Sequence, residues 1–337
     1  MTEETRRPGK TRLHIILFLI TLLTTTAAGA LQTGADPLED PWALLSGLPF
    51  SLTLMSILLV HEMGHYLVSR HHGVKATLPY FIPAPSFIGT FGAFIRMQSP
   101  PPDRRSLFDV AAAGPLAGLV LAVPAVIVGL HLSTVTPAVT QSGGIALGSS
   151  LLLSFLSQMT LGLLPDEANI ALHPIGFAGW IGLLVTALNL LPVGQLDGGH
   201  VIYALFGRRS IWIARLALAT ILMLGVLRWW DGWLIWGVLL LFLGVRHPPP
   251  LDPYTPLDFK RKVLGWITLA MLAATFTPVP FTISEPEVYQ EQHSPEPDEP
   301  PLPVREQEVF DERETKLGSV FYDHHPAGGG TLDLRPS

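Results

Sequence analysis

The sequence contains no cysteine, so disulfides and thiolate metal ligation are both excluded, and any bound metal must be held by His, Asp or Glu. Charge is scarce as well: 14% of the 337 residues are Asp, Glu, Lys or Arg, against about 25% in a soluble domain. Such a chain cannot cover a water-facing surface, and the deficit makes lipid the solvent for much of it. No Lys/Arg-dense patch suited to nucleic acid is present. The formal charge of −6 says little, because many acidic residues gather in the last fifth while the basic ones form short clusters.

What is abundant is apolar sequence. Runs with little or no charge lie at 13–30, 43–60, 107–132, 147–164, 174–192, 210–227, 232–245 and 263–279, most of them near the ~18 residues expected of a membrane-spanning helix. Lys and Arg cluster at 6–12, at Arg70 with Lys75, at Arg104-Arg105, at Arg208-Arg209 and at 260–262. Cytoplasmic loops are enriched in these residues. The clusters all fall on one side if the N-terminus is cytoplasmic and 147–164 does not cross. That run carries four serines and Gln158, sits between Gly143-Gly144 and Pro165, and is expected to lie in or against the outer face within a 133–173 connection, with a spanning helix as the alternative that hydropathy alone accepts. The sequence therefore predicts an all-α polytopic membrane protein with about seven transmembrane helices.

Four regions are expected. Residues 1–42 hold a basic leader and the first span, 43–206 a core, 207–281 additional C-terminal spans, and 282–337 a Pro/Glu-rich tail too poor in apolar residues to order itself. The opening run also has the outline of a cleavable signal peptide, with Ala27-Ala28-Gly29-Ala30 as small residues, but its length favours an uncleaved span. The absence of an Arg/Ser-rich transit sequence leans towards a prokaryotic cell membrane. Between the second and third spans, residues 84–97 alternate glycine with aromatic and β-branched residues, a pattern of either a short β-hairpin or an aromatic interfacial loop.

The second span ends in His61-Glu62-Met63-Gly64-His65. Histidines four apart share a helix face, so both imidazoles reach one metal ion with Glu62 beside them as base for a metal-activated water. Three ionisable groups within five positions of a membrane span are costly unless they share a polar cavity. Two histidines do not complete a catalytic zinc site, which takes three protein ligands and leaves one position open. A later segment, from Asn189 to His200, places Asp197 after an uncharged span, with Pro192, Gly194, Gly198 and Gly199 interrupting the helix. Read alone, Asp197-Gly198-Gly199 is either a surface turn or irregular backbone lining a cavity.

Taken together, His61-Glu62-Met63-Gly64-His65 on an early span with Asn189, Pro192 and Asp197-Gly198 on a later one resembles the site-2 protease family of intramembrane zinc metalloproteases, over roughly residues 43–205. The resemblance implies one Zn²⁺ per chain held by His61, His65 and Asp197, with Glu62 as catalytic base and Asn189 stabilising the oxyanion or positioning substrate. It implies membrane-spanning protein substrates within a lipid bilayer, and a membrane-associated hairpin around Gly89-Thr90-Phe91-Gly92 whose edge pairs with an unwound substrate. The 133–173 connection is too short and apolar for the PDZ domain of several members, which fits the PDZ-less bacterial and plastid types. Alternatives from other classes are a metal-ion or proton transporter and a protease-like scaffold that does not cut. His71, His72, His173 and His247 are read as loop or headgroup-level residues, and His200 as a group that could support Asp197. Oligomeric state is not legible.

Overall fold

The computed structural model describes residues 8–137, 144–163 and 168–284; the Pro/Glu-rich tail beyond Ser284 lies outside them. The chain is mostly helical. Helix α1 (Pro8–Gln32) precedes a 3-10 turn (Pro41–Gly47) and α2 (Leu48–His71), and the strands β1 (Tyr80–Pro83) and β2 (Thr90–Phe94) follow. Then come α3 (Arg104–His131), β3 (Thr134–Pro137), β4 (Gly144–Leu147), α4 (Leu151–Leu161) and β5 (Ala168–Ala171). Helices α5 (Pro174–Asn189), α6 (Asp197–Phe206), α7 (Ser210–Val226), α8 (Gly232–Leu243) and α9 (Phe259–Thr275) lead to β6 (Phe281–Ser284).

Among the described residues, four helical stretches are long and apolar enough to cross a bilayer: 11–32, 41–71, 104–131 and 197–226. The other runs expected to span are also helical, but α5, α8 and α9 have 16, 12 and 17 residues, giving lengths of roughly 18 to 26 Å at 1.5 Å per residue. The run at 147–164 contains only the 11-residue α4, about 16 Å long and so too short to traverse the hydrocarbon core. Large apolar side chains point outwards on the helix surfaces, among them Leu23, Leu216, Ile235 and Phe242, as lipid contact requires.

The core of the bundle is α2, α3 and α5. Phe50, Leu54 and Leu58 from α2 pack with Phe177, Trp180 and Ile181 from α5 and with Phe81 from β1. In a neighbouring cluster, Ile57 of α2 packs with Ala122, Val126 and Leu130 of α3 and Leu183 of α5. Helix α3 starts at a capping box in which the Asp103 carboxylate accepts from the Ser106 N–H at 2.8 Å and the Ser106 hydroxyl bonds back to the Asp103 N–H. It carries Pro115 and Pro124 in its interior, which neighbouring helices make tolerable at membrane depth.

Two expectations need correction. The His61–His65 motif is not at the end of its span: α2 continues six residues further, to His71, because Tyr66-Leu67-Val68 prolong the apolar helix. The hairpin also begins earlier than residue 84. Tyr80 pairs with Phe94, Phe81 with Ala93 and Pro83 with Thr90, antiparallel, and residues 84–89 form the turn. Prolines at 79 and 83 disguise the first strand, yet Pro is tolerated at the start or edge of a strand. The ladder extends outwards through a bridge between Ala76 and Met97.

Within the 133–173 connection, β3 pairs with β5, while β4 pairs with β6 from beyond α9. Strand pairing therefore continues to Ser284, into the start of the expected tail.

Candidate metal centre and active site

His61 and His65 lie one turn apart on α2, both buried, and Asp197 opens α6. The loop Leu190–Leu196 carries the chain from α5 to that position. It folds so tightly over the start of α6 that a Cβ on Gly198 would collide with the Leu190 carbonyl, which explains the glycine directly after Asp197. Asp197 Oδ2 is 3.2 Å from His65 Nε2 and 3.5 Å from His61 Nε2, and the two Nε2 atoms are 3.2 Å apart. Asp197, read as either turn or ligand from sequence, is thus brought to the histidines by the fold.

The tautomers follow from the partners. A carbonyl oxygen only accepts, so the Val110 carbonyl, 2.8 Å from His65 Nδ1, fixes the His65 proton on Nδ1 and leaves the Nε2 lone pair facing Asp197. Asn189 Nδ2 is a donor 3.3 Å from His61 Nε2, so that nitrogen too presents a lone pair. Two imidazole nitrogens and a carboxylate oxygen then converge on one point, a donor set suited to a divalent cation. Bonds of about 2.0–2.2 Å to a tetrahedral zinc place neighbouring ligand atoms about 3.4 Å apart, and the three separations match. Among the described residues, these three form the one group of His, Asp or Glu that could hold a metal.

The surrounding cavity, about 630 Å³, is lined by Glu62, Asn189 and His200 with Ala93 to Ser99 from the hairpin. All five site residues expected from sequence therefore share one cavity. Glu62 is itself buried and makes no ion pair with a cationic side chain among the described residues.

Sequence reasoning missed two contributors. Helix α3 touches the motif through Gly114 and Gly118: a Cβ on Gly114 would penetrate the His65 ring, and one on Gly118 would stand 3.1 Å from His61 Nδ1. The small-residue stripe Ala111-Ala112-Ala113-Gly114 with Gly118 was the available signal for close helix approach. His247, read as a loop residue, enters the cavity beside Pro248–Pro250. Its Nε2 meets His200 Nδ1 and its ring stacks on Tyr203 at 4.5 Å, while its Nδ1 is buried without a partner. No local pattern could reveal that pairing. His72, in contrast, is occupied by Asp109 at 2.9 Å, and Arg261 binds the same carboxylate through two nitrogens at 2.8 and 2.6 Å. This ion-pair cluster ties α9 to the C-terminal end of α2 and the N-terminal part of α3.

The family model of peptidase family M50 matches residues 49–227, more than half of the chain and every converging side chain. The chain belongs to peptidase family M50. Among curated relatives, it is 36% identical over 311 residues to the probable zinc metalloprotease EGY1, chloroplastic, of Arabidopsis thaliana, covering 83% of this chain and 56% of that protein. It is 32% identical over 274 residues to EGY2 of the same plant, covering 80% and 48%. To EGY3 of Oryza sativa subsp. indica it is 31% identical over 250 residues, covering 68% and 42%. The chain spans about half the length of the curated relatives it matches. Their names place these relatives in the chloroplast, which stands against the expectation of a prokaryotic cell membrane, whereas the multi-pass membrane character of this M50 chain holds.

Proposed function

We propose that this chain is an intramembrane zinc metalloendopeptidase that hydrolyses peptide bonds of membrane-anchored proteins. The observation that carries the reading is the convergence of His61, His65 and Asp197, with ligand atoms within 4.8 Å of one another, in the cavity that also holds Glu62. The chain's M50 membership and the printed names of its relatives support the same reaction class.

His61, His65 and Asp197 would hold the zinc ion, which would supply Lewis acidity, lowering the pKa of a water to about 7 and polarising the scissile carbonyl. Glu62 accepts the proton of the attacking water and passes it to the leaving amine. The Asn189 amide, on the metal side of His61, donates to the oxygen on which charge develops. A substrate helix must unwind first, because its carbonyls are otherwise hydrogen-bonded, and β2 offers an unpaired edge to hold the extended backbone. Ala93 joins that strand to the catalytic cavity.

The topology belongs to the same reading. Seven helices cross or enter the bilayer, with the N-terminus and the zinc site towards the cytoplasmic side. Residues 1–42 form the leader and first span, 43–206 the protease core, 207–281 the C-terminal spans, and 282–337 a tail. The decisive test incubates purified protein with a panel of single-span substrates, with and without a zinc chelator. Cleavage abolished by the chelator and restored by zinc is expected; chelator-resistant cleavage, or no cleavage of any substrate by zinc-loaded protein, removes the proposal.

A further inference from the structure

A second cavity of about 620 Å³ shares Arg96, Met97 and Gln98 with the cavity of the metal centre. Its walls are the start of α1, the last turns of α2, and the loops on either side of the hairpin. Hydrogen-bond donors line it: Thr11, Tyr66, Tyr80, Arg96 and Gln98. No Asp or Glu among the described residues does. Tyr66 accepts at its hydroxyl oxygen from Arg70 Nη1, 3.1 Å away, so its own hydrogen is free to donate elsewhere. The Arg96 guanidinium makes no ion pair with any described residue. His14 closes the floor: its Nδ1 is 3.0 Å from the Pro79 carbonyl and its ring lies 4.1 Å from Tyr80.

Leu78 lines the cavity and is 37% exposed. The site also sits where the first apolar span begins, at Thr11, beside Arg12. Donors without carboxylates select a phosphate, and an exposed leucine beside the start of an apolar span selects one that carries acyl chains.

We propose that this cavity binds the phosphate headgroup of an anionic membrane lipid, with Arg96 and the Tyr66 hydroxyl as its principal donors. Because Arg96, Met97 and Gln98 also line the catalytic cavity, the bound headgroup fixes a segment that borders both. The inference does not depend on the protein being a protease.

The test places the purified full chain in phosphatidylcholine nanodiscs with or without phosphatidylglycerol, and counts retained lipids by native mass spectrometry. Retention of one phosphatidylglycerol in preference to phosphatidylcholine is expected. Arg96→Gln should weaken that retention about tenfold, as loss of a charged hydrogen bond to phosphate implies, and Tyr66→Phe by a smaller factor. Zinc content should be unchanged in both. A photoactivatable phosphatidylglycerol should crosslink within residues 76–80 or 96–98, a readout independent of either variant. Equal retention of the two lipids, unaltered retention in both variants, or crosslinks only elsewhere would overturn the site. Displacement of the lipid by inorganic phosphate alone would assign the cavity to a free anion and overturn the lipid.

Discussion

The Nδ1 of His65 on α2 lies 2.8 Å from the main-chain carbonyl of Val110 on α3, so a helix that supplies no metal ligand decides which nitrogen of His65 faces the metal. Ligand orientation of this kind accounts for about 10- to 100-fold in metal affinity. It also makes the α2–α3 contact part of the metal centre.

Gly114→Ala tests that contact. The added methyl would occupy space filled by the His65 imidazole, and the ring must leave its position because the alternative is separation of two packed helices. Zinc affinity should fall at least about tenfold, with helical content by circular dichroism retained. Full zinc occupancy measured by elemental analysis would show that the ring has room to spare.

Glu62→Gln and Asp197→Asn separate base from ligand. The first should keep zinc and lower cleavage roughly 10²- to 10⁴-fold, the range of a lost general base. The second exchanges an anionic ligand for a weaker neutral one, so zinc content and cleavage should fall together. Metal content and turnover on the same preparations distinguish the two, and full zinc with normal turnover in the Asp197→Asn variant would exclude Asp197 from the centre.

Phe91→Pro probes the hairpin edge. Phe91 is 72% exposed in the middle of β2, so the substitution removes a backbone donor without opening the core. Cleavage of a membrane-embedded substrate should drop severalfold while zinc remains bound. Unchanged turnover would reduce the segment to an interfacial loop.

His247 predicts a pH dependence. Burial, reinforced by the neighbouring His200, lowers its pKa from 6.5 to about 3. The folded protein keeps this imidazole neutral where the unfolded chain protonates it, so the unfolded state binds more protons between these values. Stability should therefore be full above about pH 6.5 and decline as pH falls towards 3. Thermal unfolding in detergent should show a smaller acid-side loss for His247→Gln than for the parent, and identical pH profiles would contradict the buried neutral state.

Much of the protein was legible because the determinants are local. Apolar runs of bilayer length, the basic clusters between them, and two histidines four apart act through helix periodicity and solvation, which neighbouring residues settle among themselves. Asp197 was visible as a candidate but ambiguous, since a carboxylate followed by two glycines suits a turn as well as a ligand. The first hairpin strand was hidden between Pro79 and Pro83, whose local preference argues against a ladder that the edge position permits.

The sequence by itself determined a charge-poor, Cys-free membrane chain with a His/Glu/His face on one helix and a helix break bearing Asp197. Tertiary structure alone decided that α6 meets α2, that Gly114 and Val110 of α3 set the His65 ring, and that His247 returns from beyond α8 to His200. Those contacts join residues tens of positions apart, and their distances arise from how helices pack rather than from any pattern along the chain.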